Sequence, residues 1–166
     1  MTLSRQASMV IALTVIIGVG LVMMTASSAI SIASAQQPQT SGSKSGTIAS
    51  IQNDENGKPA WILSGGWDFK NIDSGSPTFN STFHMIKLDG SEPHMHHIKD
   101  FKMTGSPTKS GTAITYNGTA TIVMKGMPMS NVPISIKLTG HAMSLWMDPN
   151  KVMNHFGNTP IYGFVG

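Results

Sequence analysis

Beyond Gly46 no stretch keeps apolar residues at i, i+3, i+4 and i+7 for three turns, so the body of this chain lacks the pattern of a packed helix. It offers instead short alternating stretches rich in Thr, Ile, Val, Phe and Tyr, punctuated by Gly, Asn, Asp and Pro. This predicts an all-β domain, an antiparallel β sandwich or small barrel of about eight short strands. The clearest hairpin joins residues 78–88, with Phe79, Ser81, Phe83 and Met85 on one face, through the turn Asp89-Gly90 to residues 93–103.

Other strands are expected at 46–52, 60–67, 133–139, 141–147 and 161–165. Gly65-Gly66 suggests a bulge or tight bend. Asn117-Gly118, between the alternating stretches 112–116 and 119–125, fits either a hairpin turn or a bulge in one long strand. Asp148-Pro149 is a turn or helix-cap start, after which residues up to 154 have room for one helical turn before His155.

The N-terminus has a different character. Met1 to Arg5 supplies a positive start, residues 9–24 form an uncharged apolar run, and Ala33-Ser34-Ala35 matches a small-x-small cleavage site. The order is that of a secretory signal over 1–35, with an uncleaved membrane anchor as the alternative. Either would put the remainder outside the membrane, secreted or held on the outer face of the cytoplasmic membrane. Residues 36–45 have linker composition, which leaves a single domain over 46–166. The sequons at Asn80 and Asn117 are compatible with export.

Composition excludes several functions. With no cysteine, the chain cannot form disulfides, iron–sulfur sites or thiolate metal sites. Of its 11 basic residues, removal of Arg5 with the leader leaves ten lysines against 8 acids, a net +2. The lysines are scattered singly, so no stripe tracks a phosphate backbone and nucleic acid is not an expected partner. No nucleophile elbow, His-Glu-x-x-His or phosphate loop is present, which leaves no catalytic residues to name.

The densest chemical feature is Pro93-His94-Met95-His96-His97. On a strand, side chains alternate faces, so His94 and His96 project together about 7 Å apart, within reach of one ion. A third ligand could come from His84, His141 or His155, and Asp100 shares the parity of the pair and could orient an imidazole. The expected ligands are therefore His94, His96, His155 and His84, holding copper or zinc.

Thirteen methionines, four of them before position 25, leave nine in the mature chain. Met127-Pro128-Met129 together with His141-Ala142-Met143 has a thioether and imidazole spacing suited to Cu(I), although methionine is also a core filler.

The pattern Trp61 to Trp67, Asp89-Gly90 before His94-Met95-His96, Asn131-Val132-Pro133, and Asn154-His155-Phe156 before Pro160-Ile161-Tyr162-Gly163 resembles a group of small exported β-domain proteins from ammonia-oxidising archaea, which have no assigned activity. The resemblance runs from Trp61 to the C-terminus. It implies an envelope or extracellular β domain and singles out His94, His96 and His155. Here the chain departs from that pattern after His96, adding His97 and many methionines. The functional expectation is an extracytoplasmic metal-binding domain. The alternatives are a metal-free surface domain that contacts an envelope protein or glycan and, further off, a metal-dependent enzyme.

Overall fold

A computed structural model describes residues 42–166, so the leader over 1–35 and most of the linker lie outside the described residues. Nine strands follow one another: β1 (Lys44–Asn53), β2 (Pro59–Lys70), β3 (Thr78–Lys87), β4 (His94–Met103), β5 (Thr108–Ser110), β6 (Ala113–Met124), β7 (Met127–Thr139), β8 (Ala142–Met147) and β9 (Ile161–Val165). β1 takes in Lys44 and Ser45, which pair with Phe69 and Asp68.

Successive strands pair antiparallel except β4 and β5, β4 pairs instead with β6, and β9 returns to β1 through Gly46 to Ile48. These pairings close an eight-stranded barrel, with β5 as a short appendage on the first half of β6. Of the two architectures expected, closure selects the barrel and leaves no long open edge.

Alternation sets the inside of the barrel. On β3, Phe79, Ser81, Phe83 and Met85 are buried and their neighbours are not, as the pattern of that segment predicts. Eight strands enclose a space that side chains fill, and here Leu63, Phe69, Phe83, Ile122, Ile136 and Leu145 are fully buried within it. Phe69 stands at the centre of an edge-to-face aromatic group with Phe79, Phe101 and Tyr116, at ring separations of 5.5, 5.8 and 4.8 Å.

Two local expectations are corrected and a third, at Asn117-Gly118, is decided for one long strand, without a bulge at that point. Gly65-Gly66 makes no bulge, because the register of β2 with both neighbours runs unbroken through the two glycines, from Trp61 to Phe69. Gly65 faces inward where a Cβ would lie 2.2 Å from the Thr82 carbonyl oxygen, so the glycine allows two backbones to approach. Asn117-Gly118 lies inside one long strand, where Gly118 makes room for the Phe101 ring. No helix occurs among the described residues: after the bond from Val152 N to the Asp148 carbonyl at 3.3 Å, Met153 and Asn154 adopt positive φ and turn the chain away.

The hairpin tip at Lys125-Gly126 has positive φ at both residues, 48° and 81°, which matches the right-handed twist of the strands it joins. This tip, the β1–β2 and β3–β4 turns and the long β8–β9 connection all lie at one end of the barrel, because β1, β3, β6 and β8 end there. That end carries the histidines.

A three-histidine centre at one barrel end

His94 opens β4, and His96 follows two residues later on the same side of the strand. That side faces the interior: His96 is fully buried and His94, one step nearer the rim, is half-buried. The third imidazole, His155, comes from the β8–β9 connection, which folds over the barrel end.

The connection is held by its own apolar side chains and by one buried amide. Val152 and Phe156 are 0% and 2% exposed and plug the barrel end. Phe156 packs on His96 at 4.8 Å, on His155 at 5.0 Å and on Phe83 at 5.8 Å. At the far end of the connection, the buried side chain of Gln52 donates from Nε2 to the Pro160 carbonyl at 3.1 Å and accepts from Thr159 Oγ1 at 2.6 Å. At its start, Asp148 N donates to the Pro133 carbonyl. His155 thus sits on a segment fixed at both ends.

The three rings meet through their Nε2 atoms. His155 Nε2 lies 3.1 Å from His94 Nε2 and 3.2 Å from His96 Nε2, and the three ligand atoms all fall within 4.8 Å of one another. Two nitrogens bound to one tetrahedral zinc at about 2.0–2.1 Å would be separated by roughly 3.3 Å, close to the separations of His155 Nε2 from the other two.

Tautomers sharpen this geometry. His94 Nδ1 donates to the Glu92 carbonyl at 2.7 Å, and His96 Nδ1 faces the Val123 carbonyl at 3.4 Å. Protons on those two Nδ1 atoms leave both Nε2 atoms as lone pairs. Both point at His155 Nε2, which has at most one proton to give. One of the two lone pairs is therefore without a proton donor among the three rings and is able to ligate a cation.

Electrostatics keeps His96 and His155 neutral. Burial, reinforced by the neighbouring His155 and His94, pushes His96 down to about 4, and burial beside His94 and Lys125 also lowers His155. Metal ligation needs unprotonated imidazole, so both groups are in the ligating form at neutral pH. No carboxylate joins the group, and Glu92, whose backbone receives the His94 proton, pairs its own side chain with Lys87. Imidazoles alone suit zinc and copper and disfavour magnesium and calcium.

The remaining expected residues lie elsewhere. His84 is exposed on the outer face of β3 opposite Met95, so the pleat that turns His94 and His96 inward turns His84 away. His141 sits at the opposite end of the barrel and Met143 is buried in the core, which separates both from Met127 and Met129. Asp100 loses the parity of the histidines at a register break between Lys99 and Lys102, where its φ is 57° and Phe101 turns inward in its place. Gln52, Phe83 and Phe156 are structural supports of the centre that the sequence did not single out; only Phe156, adjoining His155, carried a local hint.

Replacing Gln52 with leucine leaves the Pro160 carbonyl and the Thr159 hydroxyl without their partner. We predict a loss of about 1–3 kcal/mol in urea denaturation and a fall in zinc affinity of roughly tenfold, the low end for a supporting residue. An unchanged zinc isotherm would show that this anchor does not position His155.

Fold and site together define a class: a closed eight-stranded antiparallel barrel with a three-histidine group, able to hold a metal ion, at one end. No protein-family model, curated protein or solved structure matches the chain.

Proposed function

We propose that this protein is an extracytoplasmic metal-binding barrel that holds a zinc or copper ion through His94, His96 and His155. The observation that carries the reading is the convergence of three Nε2 atoms, two of them lone pairs fixed by Nδ1 bonds to backbone carbonyls. Export is supported by the basic start, apolar run and Ala33-Ser34-Ala35 at the N-terminus. Binding, carriage or stabilisation of the barrel end by the ion is the role this arrangement serves, since the ligands come from a strand and from the segment that plugs it. An ion tying His155 to β4 would lock that segment down.

Elemental analysis of the purified chain and titration with zinc and copper test the reading. The native protein is expected to take up one ion per chain at these residues and, at a free ion concentration about a hundred times Kd, to gain about 2.7 kcal/mol of stability. The His94→Ala/His96→Ala double variant is expected to show neither with zinc, and any copper it still takes up lies outside these residues. Equal uptake by both proteins would refute the proposal.

A second reading, a metal-free surface domain that contacts an envelope protein or glycan, is favoured by one feature. Tyr162 and Phe164 on β9 and Ile51 on β1 are large apolar side chains exposed on the outer wall of adjoining strands. Absence of metal uptake would move the argument to that wall.

A further inference from the structure

Beside the histidines lies a second cleft, of about 410 Å³, walled by Met124, Met127, Met129, Met153 and His155 together with Lys125 and Pro128. Its methionines come from two elements. Met124 pairs with Met127 and Ile122 with Met129 across the β6–β7 hairpin, so the three thioethers leave the same side of the ribbon, the side whose deeper residues face the barrel interior. Met153 approaches from the β8–β9 connection, two residues before His155.

Packing explains Met124, which is buried, but not Met127 or Met153, which are 63% and 68% exposed. An exposed methionine gains little from burial of apolar area, and two of them in one small cleft with a half-buried third, Met129, form a concentration of soft donors. Thioethers are poor ligands for zinc, calcium or magnesium and good ones for Cu(I). The single ionic group on the lining, Lys125, is exposed and opposes a doubly charged ion more than a singly charged one.

We propose that this cleft is a second metal site, selective for cuprous ion, with Met127, Met129 and Met153 as its thioether donors and His155 as the wall it shares with the three-histidine centre. It stands on its own side chains and does not require the first centre to be filled. The shared wall brings a soft-ion site and an imidazole site against each other at one end of one barrel.

The test uses the exported chain with 13C-labelled methionine methyl groups and silver(I) as a monovalent, redox-silent probe. Silver is expected to shift the ε-methyl signals of Met127, Met129 and Met153 and to leave that of core Met143 in place, whereas zinc leaves those of Met127 and Met129, on the β6–β7 hairpin, unmoved. In parallel, Met127→Leu/Met129→Leu/Met153→Leu, which conserves volume, is expected to lose at least tenfold in Cu(I) affinity measured anaerobically against a chromogenic chelator. Its circular dichroism should match that of the native chain, which shows the barrel intact. Unmoved methyl signals, or undiminished Cu(I) affinity in a folded triple variant, would overturn the site. Repeating the silver titration on the His94→Ala/His96→Ala variant separates the two sites: the same methyl shifts there show that the cleft binds without the three-histidine centre, and their loss would overturn the site.

Discussion

Substitution of Phe156 by alanine is expected to lower the unfolding free energy by about 3–5 kcal/mol and to weaken metal binding as well. The ring is 2% exposed and touches Phe83, His96 and His155, so its removal opens a void in the plug and frees the imidazole that lies against it. Urea denaturation of the metal-free chain reads the first effect and zinc titration the second. Phe156→Leu provides the control: it keeps most of the apolar volume, so it should restore most of the stability. If alanine costs the full stability and leaves zinc affinity untouched, His155 is placed by its other anchors and the plug has no part in building the centre.

The same plug shows why part of this molecule was legible in its sequence and part was not. His94 and His96 were readable because a strand has a period of two, and that local rule holds wherever the strand goes. Asp100 was misplaced by the same rule, since the register break after Lys99 inverts parity and leaves no mark in the residue types. Closure was equally silent: a sandwich and a barrel share one alternation, and the choice is made by β9 meeting β1 over Gly46 to Ile48, far apart in sequence.

His155 entered as a candidate through the Asn-His-Phe motif and not through geometry. Its position depends on Gln52, more than a hundred residues earlier, bonding Thr159 and Pro160. The hairpin tip at Lys125 escaped notice because a lysine at positive φ is an uncommon turn residue. Local periodicity therefore gave the strands and two of the ligands, whereas every long-range contact that completes the centre had to come from the structure.

Acid should both weaken the metal-free barrel and release its ion, and the sign follows from the depressed imidazoles. His96 is held at about 4 in the folded chain, against the ordinary 6.5 of a free imidazole. Above about pH 6.5 both states are neutral at this group and stability is pH-independent. As pH falls from there to about 4, the unfolded chain takes up a proton that the folded chain refuses, so stability is lost through that window. His155 is shifted in the same direction and adds to the loss. Solvent at the barrel rim moderates the effect to on the order of 1–2 kcal/mol. Asp89 and Glu92 are also lowered, by hydrogen bonds from Ser91 and Lys87, but from the ordinary carboxylate range, so their contribution falls at more acid pH. For a bound ion the consequence is the reverse of fragility at mild acidity: His96 and His155 resist protonation and stay available as ligands while pH falls through the range in which a free imidazole charges. Below that, affinity drops by about tenfold per pH unit for each imidazole that must give up a proton. Denaturation and zinc competition between pH 7.5 and 4 measure both limbs, and His96→Leu should flatten the stability slope from pH 6.5 to 4.5. A native chain whose metal-free stability is level or rises across that interval would mean that these rings are not held neutral, and the case for waiting ligands would lose its electrostatic half.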